Sequence, residues 1–231
     1  MADQLSMHII AHVHSEFPEK FGIPRQAGLV PELRATVVFT PEYRNPDALR
    51  GIGEWSHLWL IWQFSKAVRA DWSPTVRPPR LGGNTRLGVF ATRSPFRPNA
   101  IGLSCVELAG LLETAEYGTV LEISGADLLD GTPILDIKPY VPYADCHPEA
   151  TGGFTERTGD FLLAVDFPET LLNTVDPIRR QALLGVLSHD PRPSYQNDPD
   201  RVYGMRFGGY NVRFRVAEGI LHVVEVSVDS K

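Results

Sequence analysis

The sequence predicts a mainly β protein, with a β-barrel or sandwich over residues 1–145 and a small α+β unit over residues 160–231. Three observations predict it. Short runs of β-branched and aromatic residues recur through the first 140 or so residues, with Gly and Pro falling between them. Helical periodicity is nearly absent from that stretch, which favours a barrel or a sandwich over a helix-covered parallel sheet. Around Ala144–Asp160 (ADCHPEATGGFTERTGD) the pattern dissolves into small, polar and turn-forming residues, which marks a boundary.

The elements follow in order. Met7–His14 alternates, with Met7, Ile9 and Val13 on one face and His8, Ile10, His12 and His14 on the other. Ala35–Thr40 (ATVVFT) is rich in β-branched residues. His57–Phe64 (HLWLIWQF) is a continuous apolar run of strand length, as expected of a strand covered on both sides. Leu87–Thr92, Gly102–Leu108, Thr119–Gly125 and Ile134–Val141 complete the first set. Beyond the boundary, a short strand over Phe161–Phe167 precedes a helix. Asp176 is placed to cap that helix, Pro177 to open it, and Ile178, Ala182, Val186 and Leu187 to form its apolar stripe. Asn211–Val216 and Leu221–Val228 close the chain as strands.

Composition narrows the function classes. No stretch approaches the roughly 18 apolar residues that span a bilayer, and the N-terminus lacks the basic and apolar regions of a secretory signal. Two cysteines, Cys105 and Cys146, make no disulfide framework, so a cytoplasmic location is expected. The net charge of −6 is unevenly spread. From Lys66 to Arg97 there are seven basic residues and one acid, Asp71, so this segment carries +6 and the remainder −12. Such a split suits an anion site on an acidic body, or equally a solvated arginine-rich loop.

Three strings carry chemistry. Gly88–Leu103 (GVFATRSPFRPNAIGL) sets Arg93 and Arg97 on a loop stiffened by Pro95 and Pro98. Fixed guanidinium forks can hold a carboxylate or phosphate, though they can also pair with surface acids. Asp127–Tyr140 (DLLDGTPILDIKPY) puts Asp136, Lys138 and Tyr140 on one strand face and Leu135, Ile137 and Val141 on the other. An acid, an amine and a phenol in line can position a polar substrate and move its protons, or can form an ordinary solvated face. Ser188–Tyr195 (SHDPRPSY) offers Asp190, Arg192 and Tyr195 on a proline-stiffened loop, or a plain helix stop. His8, His12 and His14 lack accompanying ligands at metal-binding spacing, so no metal is expected. Gly51 and Gly53 lack the third glycine of a dinucleotide fingerprint and precede a strand, and no Walker A loop is present.

Together these blocks resemble the TrmO (TsaA-like) family of tRNA methyltransferases. The matching pieces are Glu19–Val30, Arg50–Leu60, Pro74–Ala100, Asp127–Tyr140 and His189–Tyr195, in order along nearly the whole chain. The resemblance implies a β-barrel that binds S-adenosylmethionine without a Rossmann-like fold, and a homodimer with the cofactor near the subunit interface. It implies N6-methylation of N6-threonylcarbamoyladenosine at position 37, in the anticodon loop of threonine tRNA. By motif, Pro24, Arg25, Gln26, Arg93, Leu103 and the segment Asp127, Leu128, Leu129 and Asp130 would contact the cofactor. Ser65 and Lys66 would join them, although both are less typical of the family at their positions.

The nitrogen to be methylated is amide-like in that nucleoside and a poor nucleophile until its proton leaves. Asp136 or Tyr140 is then the candidate base, with Lys138 stabilising the carbamoyl oxygen. Arg69, Arg77, Arg80 and Arg97 are candidates for tRNA contacts, and Asp190, Arg192 and Tyr195 for the loop that meets the RNA, with Tyr195 stacking on the base. Two alternatives stand beside this reading: an RNA-binding barrel without the cofactor, and a methyltransferase of a small molecule or protein.

Overall fold

The computed structural model describes residues 5–68, 71–158, 162–193, 196 and 198–229. Six strands make a wholly antiparallel sheet: β1 (Ala11–Ser15), β2 (Arg34–Phe39), β3 (His57–Gln63), β6 (Ile101–Thr114), β7 (Gly118–Ser124) and β8 (Pro133–Pro139). Their order is β1-β2-β7-β6-β3-β8, and β8 returns to β1 through Ala11 against Ile134 and His12 against Pro133, closing a barrel. Two further strands, β4 (Thr75–Val76) and β5 (Leu87–Gly88), form a separate ribbon.

Period-two patterning fills the barrel. Ala11, Val13, Val37, Leu58, Leu60, Leu121, Ile123 and Ile134 are fully buried inside it. Each large aliphatic side chain so buried contributes about 1.5–3 kcal/mol. Met7 and Ile9 remain exposed because they precede β1. β3 is covered less evenly than its apolar run suggests: Leu58, Leu60 and Trp62 point inward, while Trp59 and Ile61 are half-buried. β6 is longer than expected. It pairs with β3 through residues 101–107 and with β7 through residues 107–114, and a register shift between Leu108 and Gly110 lets it bend from one partner to the other. Leu87–Thr92 shortens to β5, because Val89–Ala91 tightens into a 3₁₀ turn.

After the short helix α1 (Pro142–Asp145), the chain builds a second sheet. It comprises β9 (Ala164–Asp166), β10 (Tyr203–Phe207), β11 (Tyr210–Ala217) and β12 (Ile220–Val228), in the order β10-β11-β12-β9. Helices α2 (Glu169–Leu172) and α3 (Pro177–Ser188) accompany it. The Asp176 side chain accepts the Ile178 N–H at 3.1 Å, and Pro177 opens α3. The buried stripe is Ala182, Leu183, Val186 and Leu187, whereas Ile178 faces solvent.

The second core is not made of C-terminal residues alone. Phe17, Val30 and Leu33 are buried in it, although they lie between β1 and β2. Phe17 meets Phe207 edge-on at 5.4 Å, and Phe21 stacks on Tyr203 and Phe214. Arg179 Nε donates to Glu16 at 3.0 Å. Gly185 brings α3 so close to Val30 that a Cβ there would lie 2.6 Å from its Cγ1. The same stretch is tied to the barrel, where Gly28 N–H donates to the Gly125 carbonyl at 2.8 Å.

Candidate active site

At the barrel end where β3 runs out and β6 begins, four segments enclose a cavity of about 760 Å³. They are the stretch from Lys20 to Gln26, the end of β3 with residues up to Ala67, the loop from Phe90 to Leu103, and the turn from Asp127 to Thr132. This volume suits a cofactor-sized molecule. Trp62, Phe64, Leu103 and Leu129 provide apolar wall, and Lys20, Arg25, Lys66, Arg93 and Arg97 provide cations.

Local structure explains the placement. The Thr92 hydroxyl donates to the Val89 carbonyl at 2.9 Å and accepts from the Ser94 N–H at 3.3 Å, making a tight turn. The Arg97 guanidinium donates to the Thr92 carbonyl at 2.9 Å, so it stiffens the loop that Pro95 and Pro98 already restrict. Arg93 instead crosses the cavity mouth and donates to the Gln26 side-chain carbonyl, joining two walls.

Asp127 is the single carboxylate among the described residues that line the cavity. Its Oδ1 accepts the Ser104 hydroxyl at 2.6 Å, and Ser104 in turn accepts the Trp62 indole N–H at 3.0 Å. Ser104 is buried and links the two lining residues Trp62 and Asp127, so these hydrogen bonds brace the cavity floor. Burial pushes the Asp127 carboxyl above the ordinary carboxylate range, opposed by the Ser104 hydroxyl, backbone N–H groups and the nearby Arg93 charge.

Of the residues expected to hold the cofactor, Pro24, Arg25, Gln26, Ser65, Lys66, Arg93, Leu103, Asp127 and Leu129 all line this one cavity. Two do not. Leu128 is buried in the barrel core. Asp130 turns away to accept the Ser15 N–H at 3.1 Å and lies 3.4 Å from His14 Nδ1, holding the end of β1. Arg97, expected on the RNA side, is part of the cavity wall.

Asp136, Lys138 and Tyr140 are not brought to the cavity. A register shift between Ile61 and Trp62 sets Ile137 opposite inward-facing Leu60, and Asp136 and Lys138 opposite the outward residues Ile61 and Trp59. Asp136 pairs with Lys138 at 2.9 Å and accepts the Ile137 N–H. Tyr140 packs beside His57 and Trp59, and the Trp59 indole N–H donates to Asp145 at 3.0 Å. Asp136 borders a different cavity, of about 570 Å³, together with Tyr43, Trp55 and Leu58.

On the RNA side, Arg77 is exposed beside β4. Arg69, Tyr195 and the Arg80 side chain lie outside the described residues. Arg192 is not a free surface cation: its side chain is 10 % exposed and its Nε and Nη2 grip Asp190 at 2.8 and 2.9 Å. Sequence reasoning missed Lys20, Trp62, Phe64, Phe90 and Ser104. A serine at an inward strand position, Ser104 between Gly102 and Val106, was the one available signal for the polar floor.

Comparison with known proteins shows the family. The tRNA-methyltransferase O N-terminal domain matches residues 12–146 and the TrmO C-terminal domain matches residues 161–229. The tRNA (adenine(37)-N6)-methyltransferase of Escherichia coli is 41% identical over 217 residues, covering 90% of this chain and 92% of that one. A Pseudomonas aeruginosa protein whose name describes an S-adenosylmethionine-dependent methyltransferase is 41% identical over 238 residues, covering 96% and 97%. The crystal structure of TrmO from P. aeruginosa superposes with a TM-score of 0.79 at 35% identity, over 99% of both chains. The chain belongs to the TrmO family of tRNA methyltransferases.

Proposed function

We propose that this chain is an S-adenosylmethionine-dependent tRNA methyltransferase that methylates N6 of N6-threonylcarbamoyladenosine at position 37 of threonine tRNA, as the name of the E. coli relative, tRNA (adenine(37)-N6)-methyltransferase, suggests in part. The observation that carries it is the convergence of Pro24–Gln26, Ser65–Lys66, Arg93, Leu103 and Asp127 on one cavity. The cavity's donor set fits the cofactor. Lys20, Arg25 and Lys66 suit its carboxylate, the apolar wall suits its adenine, and Asp127 suits a ribose hydroxyl or an amine. When bound, S-adenosylmethionine supplies an activated methyl group on a sulfonium centre.

The protein's contribution is then largely positioning: the Arg93–Gln26 bridge and the Trp62–Ser104–Asp127 floor would hold the cofactor. The outward strand face of Asp136, Lys138 and Tyr140 does not reach this cavity, so no base is drawn from it. The barrel unit (residues 1–145) carries the cofactor, and the unit over residues 160–231 carries part of the RNA surface. The working form is a cytoplasmic homodimer, and no helix among the described residues is long and apolar enough to cross a membrane.

The test is mass spectrometry of tRNA nucleosides after incubation with protein and S-adenosylmethionine, using threonine tRNA with and without the threonylcarbamoyl group. Methylated product from the modified tRNA alone supports the substrate assignment. No product from either overturns it. Arg93→Ala should weaken S-adenosylmethionine binding at least tenfold, about 1.4 kcal/mol, in calorimetric titration. Unchanged affinity in the folded variant would remove Arg93 from the cofactor site.

A further inference from the structure

Trp72 and Phe90 are 53 % and 74 % exposed, yet they stand side by side with ring centroids 6.1 Å apart and planes 33° from parallel. Their exposure is built rather than incidental. The ribbon of β4 and β5 pairs Thr75 with Gly88 and Val76 with Leu87, and the Val89 N–H donates to the Pro74 carbonyl at 2.9 Å. Val89 is buried, so the backbone is pinned next to the ring that projects outward. Phe90 also lines the large cavity, in company with Arg93 and Arg97. Two rings are thus fixed at the lip of the cavity, one of them forming its wall.

The surroundings indicate what covers them. The segment from Lys66 to Arg97 carries +6, and its single acid is Asp71, next to Trp72. An unstacked nucleotide fits both features, because its phosphates match the arginines and its base offers a π-face to the rings. We propose that Trp72 and Phe90 form the stacking platform for the target adenine, flipped out of the tRNA loop to lie at the mouth of the cofactor cavity. This rests on the tRNA reading above and adds the residues that present the base. Enzymes that act on a base must hold it out of its stack, and the energy for doing so comes from contacts of this kind.

The experiment uses the full chain and an anticodon stem-loop with 2-aminopurine at the target position, a base whose fluorescence falls when it stacks on an aromatic ring. Trp72→Ala should weaken stem-loop binding by roughly tenfold to a hundredfold without changing its salt dependence, since no phosphate contact is lost. Trp72 does not line the cavity, so S-adenosylmethionine affinity should stay at the wild-type value. Phe90→Leu should abolish the quenching, and Phe90→Tyr should keep it, which separates stacking from mere filling of space. Wild-type quenching in Phe90→Leu, or wild-type stem-loop affinity in Trp72→Ala, overturns the platform. So does sedimentation showing that Trp72→Ala dissociates a dimer in step with its loss of RNA affinity. If the wild type binds no stem-loop at all, the tRNA reading falls and the platform falls with it. If the wild type binds and methylates RNA while the ring variants match it, the platform alone falls.

Discussion

Gly102→Ala should damage the cavity floor by a mechanism readable atom by atom. A Cβ at Gly102 would lie 2.3 Å from Trp62 Cε2, 2.4 Å from Cζ2 and 2.6 Å from Cδ2. These are atoms of one rigid indole, so no single-bond rotation of a flexible tip relieves the overlap. Trp62 is 8 % exposed, packs against Phe64 at 4.2 Å and donates its N–H to Ser104. Moving the ring aside costs about 1–3 kcal/mol of overpacking strain. Breaking the indole–Ser104 hydrogen bond within buried surroundings costs about 1–3 kcal/mol more. A loss of about 2–6 kcal/mol corresponds to a melting temperature lower by roughly 5–20 °C for a chain of this size. Circular dichroism melts of the wild type, Gly102→Ala, Trp62→Phe and the double variant form the assay. Phenylalanine lacks the outer indole atoms, so the double variant should lose less stability than the sum of the singles, by more than about 0.5 kcal/mol. A Gly102→Ala protein that melts within about 1 °C of wild type, or strict additivity in the cycle, refutes the steric argument.

Two other perturbations have signs fixed by the structure. Burial holds the Asp127 carboxyl above its unfolded value of 3.8, so the native state keeps a proton that the unfolded state releases. Stability contributed by this group is therefore present at acid pH and is lost as pH rises from about 3.8 through the folded value. Asp127→Asn should flatten that falling limb in urea titrations and make the unliganded protein more stable near neutrality, while weakening S-adenosylmethionine binding; parallel pH profiles for variant and wild type would contradict it. Asp176→Ala removes the cap of α3 and a partner of Arg179, and should cost about 1 kcal/mol or slightly more in chemical denaturation, with no loss expected if the cap is idle.

The sequence was most informative where local chemistry decides local structure. The β-branched run Ala35–Thr40 marked β2, and Asp176-Pro177 announced the start of α3 without any knowledge of its neighbours. The cofactor-binding segments were legible only through the resemblance of whole motifs, since Pro24 and Asp127 lie far apart in the chain and meet only when the barrel folds. Asp136, Lys138 and Tyr140 do share a face, but which face looks where is set by an irregularity at Leu135, skipped between the pairs Ile61–Asp136 and Trp62–Ile134, and a simple alternation drawn through Asp127–Tyr140 does not reveal it. β10 went unread although Tyr203, Met205 and Phe207 alternate inward. Helix α3 carries Ile178 at its exposed first turn, where an apolar residue meets no neighbour, so a stripe drawn from periodicity started one turn too early.

The stretch from Glu16 to Leu33 has a consequence for how the molecule comes apart. It leaves the barrel after β1, sinks Phe17 and Val30 among C-terminal side chains, and returns at Gly28 and Leu33 to bond with Gly125. Pro24, Arg25 and Gln26 are carried on this span, so one wall of the cavity is suspended like a bridge deck between two abutments. Neither abutment can melt alone without dropping the deck: opening the C-terminal sheet strips Phe17 and Val30 of cover, and opening the barrel frees the far end. Heat should therefore dissolve both sheets in a single transition, and a ligand gripped at the barrel mouth should slow hydrogen exchange in α3, where Gly185 presses on Val30.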